Sequence, residues 1–184
     1  MAGIEFFAVV DGDDNFMYAV KGKELLHPEG KLHRSIHLFI EVFGGKIIIQ
    51  KKAPHTENGG KWSSAVSGHV RTGESYQDAV VREAKEELGI DIDKTDLIDI
   101  AKVSPSEETG NEFVTLYTYL LDPEKEDVRI ACGEVDELVT CSLKDLIADV
   151  KKNGQNYSPA FMLLFNMFLT LYKEDMEETD NDSQ

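Results

Sequence analysis

Hydrophobic and polar positions along the chain repeat with two different periods, and the places where one gives way to the other mark out the elements. Ile4 to Val10 is an apolar run closed by Asp11-Gly12-Asp13-Asp14-Asn15 and resumed from Phe16 to Val20, which predicts a β-hairpin over about 4–20 with a loose polar turn. His33 to Phe43 and Lys46 to Lys51 have β-forming composition and are separated by Gly44-Gly45. Glycines there can take positive φ, so a second hairpin is predicted, and Ile47-Ile48-Ile49 reads as a buried strand. Pro54 to Lys61 is polar and glycine-bearing, hence a loop, after which Trp62 to Val66 returns as a strand leading to Gly68.

From Ser75 to Leu88 the period lengthens to that of a helix. Ala79, Val80, Ala84 and Leu88 fall on one face, the other face is acidic, and Gly89 stands where a helix would stop. Leu97 to Val103 and Glu112 to Leu121 are predicted strands, the second with apolar residues at both alternating sets of positions, and Val135 to Cys141 is another. Ser142 and Asp145 have the spacing of an N-terminal cap for a helix over Leu143 to Val150. Ser158-Pro159 opens a final helix whose face of Phe161, Leu164, Phe165, Phe168 and Leu171 is expected to pack in the core. No internal repeat or long linker divides the chain. One domain over 1–173 is therefore expected, followed by a frayed, solvated acidic tail over 174–184. Several short strands around one strand-loop-helix unit, with two further helices, predict an α/β (α+β) fold: an α/β/α sandwich on a central mixed β-sheet.

Composition narrows the function. With 41% hydrophobic and 29% charged residues among 184, the chain resembles an ordinary globular protein, and the longest apolar candidate for a membrane span, Phe161 to Leu171, is short and broken by Asn166 and Thr170. A net charge of -16 would repel a nucleic-acid backbone but permits a small phosphorylated substrate if divalent cations screen the local carboxylates. Cys132 and Cys141 lack disulfide or zinc spacing and are expected to be free thiols in a reducing cytoplasm. The expected partner is a small phosphorylated molecule, with neither nucleic acid nor membrane, for a monomer or homodimer.

The candidate chemistry lies in residues 68–90. Glu83, Glu86 and Glu87 are spaced so that a helix raises their carboxylates from one face, where three like charges repel. Hard oxygen ligands in that arrangement become favourable around Mg²⁺, or Mn²⁺, bridging to substrate phosphates. Gly68 and Gly73 bracket a loop that must turn sharply and let the backbone approach a metal and a diphosphate.

The whole segment, Gly68, five residues, Glu74, seven residues, Arg82-Glu83-Ala84-any-Glu86-Glu87-any-Gly89-Ile90, resembles the signature box of the Nudix hydrolases. Seven fixed letters at average frequencies would coincide about once in 10⁸ start positions. Ala84 is the one soft point, since the family usually has a larger aliphatic residue there. The resemblance implies hydrolysis of a diphosphate linkage by metal-activated water, with Glu86 and Glu87 as ligands and Glu83 as the leading candidate for the base. It also implies that Glu74 pairs with Arg82 to hold the loop, with Gly73 and Gly89 as structural support. Substrate selection would fall to loops outside the box, here Pro54 to Lys61 and Ser104 to Asn111, and Lys51, Lys52, Lys61 and Arg71 could meet phosphates.

Outside the box, Leu32-His33-Arg34-Ser35-Ile36-His37, Trp62, Ser67-Gly68-His69, Asn111-Glu112 and Ser158-Pro159 resemble the branch containing type 1 isopentenyl-diphosphate isomerase and its hydrolase-like relatives. The isomerase holds a metal with histidines and glutamates. His33, His69 and Glu112 match its ligands, His27 matches if one residue is deleted before His33, and Gly110 stands where a second glutamate is expected, leaving the cage incomplete. Gly68, Glu83, Glu86, Glu87, Glu112 and His69 are thus the predicted metal set. Ser67 occupies the place of the isomerase's proton-exchanging cysteine. An unactivated alcohol is a poor substitute for a thiol in moving protons at carbon, so hydrolysis is favoured over isomerisation. A silent nucleotide-binding module is disfavoured because all three helix glutamates are retained.

Overall fold

The computed structural model describes residues 4–22, 26–27 and 30–181, with side chains as far as residue 171. The strands are β1 (Phe6–Val10), β2 (Phe16–Lys21), β3 (His33–Val42), β4 (Lys46–Lys52), β5 (Trp62–Ser64), β6 (Val66–His69), β7 (Ile98–Val103), β8 (Glu112–Leu121) and β9 (Val135–Ser142). The helices are α1 (Tyr76–Leu88), α2 (Leu143–Asn153) and α3 (Pro159–Asn181). Apart from the β1-β2 hairpin, the strands form one seven-stranded sheet in the order β5-β4-β3-β8-β7, with β6 paired to β3 and β9 to β4. β3 and β8 run parallel from His33↔Glu112 to Val42↔Leu121, whereas the other pairings are antiparallel, so the sheet is mixed.

Alternation along β3 and β4 distributes the core to both faces. Ile36, Leu38, Ile40 and Ile48 pack with Ala79, Val80, Ala84 and Leu88 of α1. Phe39, Ile47 and Ile49 pack on the other face with Leu146 and Val150 of α2 and with Phe161, Leu164, Phe165 and Phe168 of α3. This is the expected α/β/α sandwich, and the small Ala84 is fully buried in it. Leu171 departs from expectation: it is 38% exposed, because α3 has by then run past Phe39, whose ring contacts those of Phe161, Phe165 and Phe168. The helical backbone continues through Asn181, while the side chains of the predicted tail, 174–184, lie outside the described residues.

The single strand expected over Trp62 to Val66 is divided. Trp62–Ser64 pairs with β4, and Val66–His69 crosses to pair with β3. β3 is thereby shared along one edge, its Ile40–Val42 end with β4 and its Ser35–Leu38 stretch with β6. β6 consequently delivers the chain into the loop preceding α1 from a position next to the central strand.

The N-terminal hairpin is tied to the sandwich at both ends. Asp14, with φ 63°, receives Arg34 Nε at 2.5 Å and Tyr76 Oη at 2.9 Å on its carboxylate, which also pairs with Lys102. At the other end Thr72 N donates to Phe6 O at 2.7 Å, beside a bridge between Phe7 and Arg71. Both cysteines are free, and no helix among the described residues is long and apolar enough to cross a membrane.

Candidate active site

The loop entering α1 is built on a carboxylate. Glu74 accepts the Arg71 N–H at 2.9 Å and both arms of Arg82, Nε at 2.7 Å and Nη2 at 2.9 Å. Burial alone would raise the Glu74 pKa, but these donors outweigh it and hold it below the ordinary value. Gly73, at φ 88°, makes the turn, and Ser75 closes a capping box with Asp78 to start the helix. Gly89, at φ 72°, ends it with its N–H on Lys85 O. The predicted pairing of Glu74 with Arg82 is present in this geometry. Arg82 also donates to His69 O at 2.9 Å, Glu83 at 2.6 Å and Glu86 at 3.2 Å, which sets the orientation of two of the three helix glutamates.

Those three glutamates stand at different depths. Glu87 is 2% exposed and accepts Gln50 Nε2 at 3.0 Å and Ser67 N at 3.2 Å, with Lys52 Nζ at 3.4 Å. Burial nevertheless pushes its pKa up, against the pull of Lys52. Glu83 is pushed up to about 7 by burial, the neighbouring Arg82 acting against the shift and Glu87 and Glu86 adding to it. Glu86, with 45% of its side chain exposed, lies at the mouth and also meets Arg71 Nη2 at 3.3 Å.

Gly68 completes the group. A Cβ on Gly68 would lie 2.2 Å from Glu83 Oε1, so only glycine lets the helix carboxylate lie against the strand. Glu83 and Glu87 crowd the backbone at Ser67 and Gly68, and with Glu86 on the same helix they form a hard-oxygen donor set that suits Mg²⁺ or Mn²⁺.

His69 and Glu112, grouped with these glutamates at the sequence level, belong instead to a second cluster. Successive residues of β6 face opposite sides of the sheet, so Gly68 meets α1 while His69 turns away from it. On that side His27, His33, His69 and Glu112 bring one ligand atom each within 4.8 Å of one another. Glu112 Oε1 is 3.3 Å from His33 Nε2, 3.3 Å from His69 Nε2 and 3.5 Å from His27 Nε2. Glu112 would be raised by burial, yet His69 and His33 hold it well below the usual carboxylate range. His33 Nε2 is buried and directed into the cluster, its nearest partner the Glu112 carboxylate without good hydrogen-bond geometry.

Glu57, from the 54–61 loop, adds a carboxylate 3.0 Å from His27 Nε2 and, through that hydrogen bond, raises the His27 pKa. Gly110, at φ 69°, lies beside this cluster, and a Cβ there would be 3.8 Å from both Glu112 Oε1 and the His27 ring.

Both clusters border one cleft of about 1260 Å³, walled also by the start of the hairpin and by both loops expected to select the substrate. Ser67 lines it between the clusters, paired in register with His37. His37 is buried on Ser64 Oγ at 2.7 Å, and its pKa falls to about 4, a packed histidine rather than a charged one. Of the four basic candidates, Lys52 and Arg71 line the cleft and Lys61 is not part of its lining. Lys51 lies over the Trp62 ring and near Glu137. Gln50 and Glu57 were not anticipated. Gln50 had left a trace, a polar residue ending a buried isoleucine run, whereas Glu57 sits in a loop with no periodicity to single it out.

Comparison with known proteins matches the chain to the NUDIX domain over residues 31–163. It is 31% identical over 150 residues to an uncharacterised Nudix hydrolase of Clostridium acetobutylicum, covering 77% of this chain and 72% of the relative. It is 25% identical over 163 residues to an isopentenyl-diphosphate Delta-isomerase of Serratia proteamaculans, covering 87% and 89%. Among solved structures it resembles DR0079 from Deinococcus radiodurans, with a TM-score of 0.68, 21% identity and coverage of 81% and 90%.

Proposed function

Since the chain belongs to the NUDIX family, we propose that it is a divalent-metal-dependent hydrolase that cleaves a diphosphate linkage, in a nucleoside diphosphate derivative, by attack of water. The observation that carries this reading is one helix face lining the cleft with three carboxylates, Glu83 against Gly68, Glu87 on Ser67 N and Glu86 at the mouth. Mg²⁺ or Mn²⁺ held by these carboxylates and by the backbone at Gly68 would supply positive charge to the phosphoryl oxygens and make a water more acidic. Glu83, which lies against Gly68, would accept the proton from that water. Lys52 and Gln50 orient Glu87, and Arg82 orients Glu83 and Glu86 while Glu74 holds Arg82. The cleft is large enough for a substrate of nucleotide size.

The second cluster supports a competing reading, isomerisation of a prenyl diphosphate, because His27, His33, His69 and Glu112 offer a built metal cage. Ser67 argues against it, since its hydroxyl lacks the acidity needed to exchange a proton at carbon. The test is a panel of nucleoside diphosphate derivatives and isopentenyl diphosphate, with Mg²⁺ and then Mn²⁺, repeated in D₂O. Diphosphate hydrolysis that survives Ser67→Ala is expected, without deuterium on carbon. Carbon-bound deuterium that Ser67→Ala abolishes would transfer the assignment to the isomerase.

A further inference from the structure

Among the described residues the cleft is lined by nine carboxylates and two Lys or Arg side chains, Lys52 and Arg71. A diphosphate entering it therefore depends on the metals and on whichever cation can turn toward it. Lys52 is committed: it is inward, 13% exposed, and held between Glu87 and Ser67 O. Arg71 is placed differently. Its backbone N–H is fixed to Glu74, so its root moves with the catalytic loop. Its Nη2 is shared between the two oxygens of Glu86, each at 3.3 Å, and Glu5 at the start of the hairpin. Its Nε is buried without a partner, so the fork that guanidinium groups use for phosphate is only partly engaged.

We propose that Arg71 is a phosphate-binding residue released by the metal. The proposal rests on the reading above in one respect, that Glu86 is a metal ligand. In the metal-free protein Arg71 neutralises Glu86. A divalent cation and a guanidinium compete for that carboxylate, and when the cation takes it Arg71 remains tethered by Glu5 at the cleft mouth with donors to spare. Those donors then meet the outer phosphate. Arg71 thus opposes metal binding in the empty protein and favours phosphate binding in the loaded one, and reciprocity requires that bound phosphate tighten the metal by the factor that metal tightens phosphate. The hairpin thereby becomes part of the substrate site.

The experiment uses the full chain, Mn²⁺ followed by electron paramagnetic resonance, and α,β-methylene-ADP as a non-hydrolysable diphosphate. Arg71→Met should tighten Mn²⁺ by about threefold and weaken α,β-methylene-ADP at saturating Mn²⁺ by about tenfold. Glu5→Gln, which removes the tether alone, should weaken the nucleotide by about threefold. Glu86→Gln separates the two levels. If it leaves Mn²⁺ affinity unchanged, Glu86 is no ligand and the underlying reading fails there. If it weakens Mn²⁺ while Arg71→Met alters neither constant, the Arg71 proposal alone is overturned. Should circular dichroism show Arg71→Met unfolded, Arg71→Lys takes its place, with about threefold weaker nucleotide binding expected and unchanged binding overturning the proposal.

Discussion

At Gly68 the missing side chain is what the site requires. Gly68→Ala would drive a methyl group into Glu83, whose carboxylate can swing away, so folding should survive. Activity should fall by about 10²-fold or more through misplacement of one acid, measured as kcat in a protein with wild-type Tm. Glu83 itself sets a pH dependence. Its folded pKa of about 7 exceeds the ordinary 4.5, so the native state binds this proton more tightly than the unfolded chain, and the stability it contributes is lost as pH rises through that interval. Metal-free Glu83→Gln should therefore exceed wild type by on the order of 2–3 kcal/mol at pH 8, with the gap closing toward pH 4.5. Urea melts in a chelator at several pH values test this, and a gap independent of pH would remove Glu83 as its source. Glu83, Glu86 and Glu87 were legible because helical spacing is local. Gln50, Lys52 and Glu57 approach from a strand and a loop, and no local period records which distant carboxylate a side chain will meet.

Elements were more legible than their attachments. Helix α1 carried its own stop at Gly89, and substitution by Ala at that positive φ should cost about 1 kcal/mol, read as a drop in the urea midpoint at unchanged slope. The break between β5 and β6 escaped notice, because a strand that changes neighbours keeps its β-forming composition while its hydrogen bonds move from β4 to β3. The hairpin was anticipated, but its docking was not. Asp14 looked like one of several polar turn residues, and only the fold shows Arg34, Tyr76 and Lys102 meeting on it. Asp14→Ala leaves Arg34 and Lys102 without their carboxylate and removes a residue tolerant of positive φ. A loss of about 2–3 kcal/mol is expected. It should be accompanied by faster amide exchange in β1 and β2 than in β3, and uniform exchange across all three strands would mean that the clasp does not hold the hairpin.

On the scale of the whole molecule, periodicity was enough for the sandwich, since each element announces which of its faces is apolar. The cleft was not legible, because its walls come from β3, β6, β8, α1, the hairpin and two loops, joined through pairings of long sequence separation. Its electrostatics suggest a test of the two metal clusters together. Among the described residues nine carboxylates line one cleft of a chain with net charge -16, so the empty protein holds repulsion that native-state cation binding relieves. A ligand bound only by the folded form stabilises by RT ln(1 + [L]/Kd), about 2.7 kcal/mol at a hundredfold excess over Kd. Screening alone would raise stability too, so about 10 mM MgCl₂ should be compared with about 30 mM NaCl, which matches its ionic strength and hence its Debye length. The magnesium-specific increment should vanish when Glu86 and Glu87 are both changed to Gln. The cage offers three imidazoles and one carboxylate, a donor set that prefers Co²⁺ or Zn²⁺ to Mg²⁺. The double variant should therefore still gain stability from Co²⁺, and that gain should disappear on adding His33→Ala. If Co²⁺ instead loses its effect together with Mg²⁺ in the double variant, the histidines are not an independent centre, and one ion site must be drawing on both sides of β6.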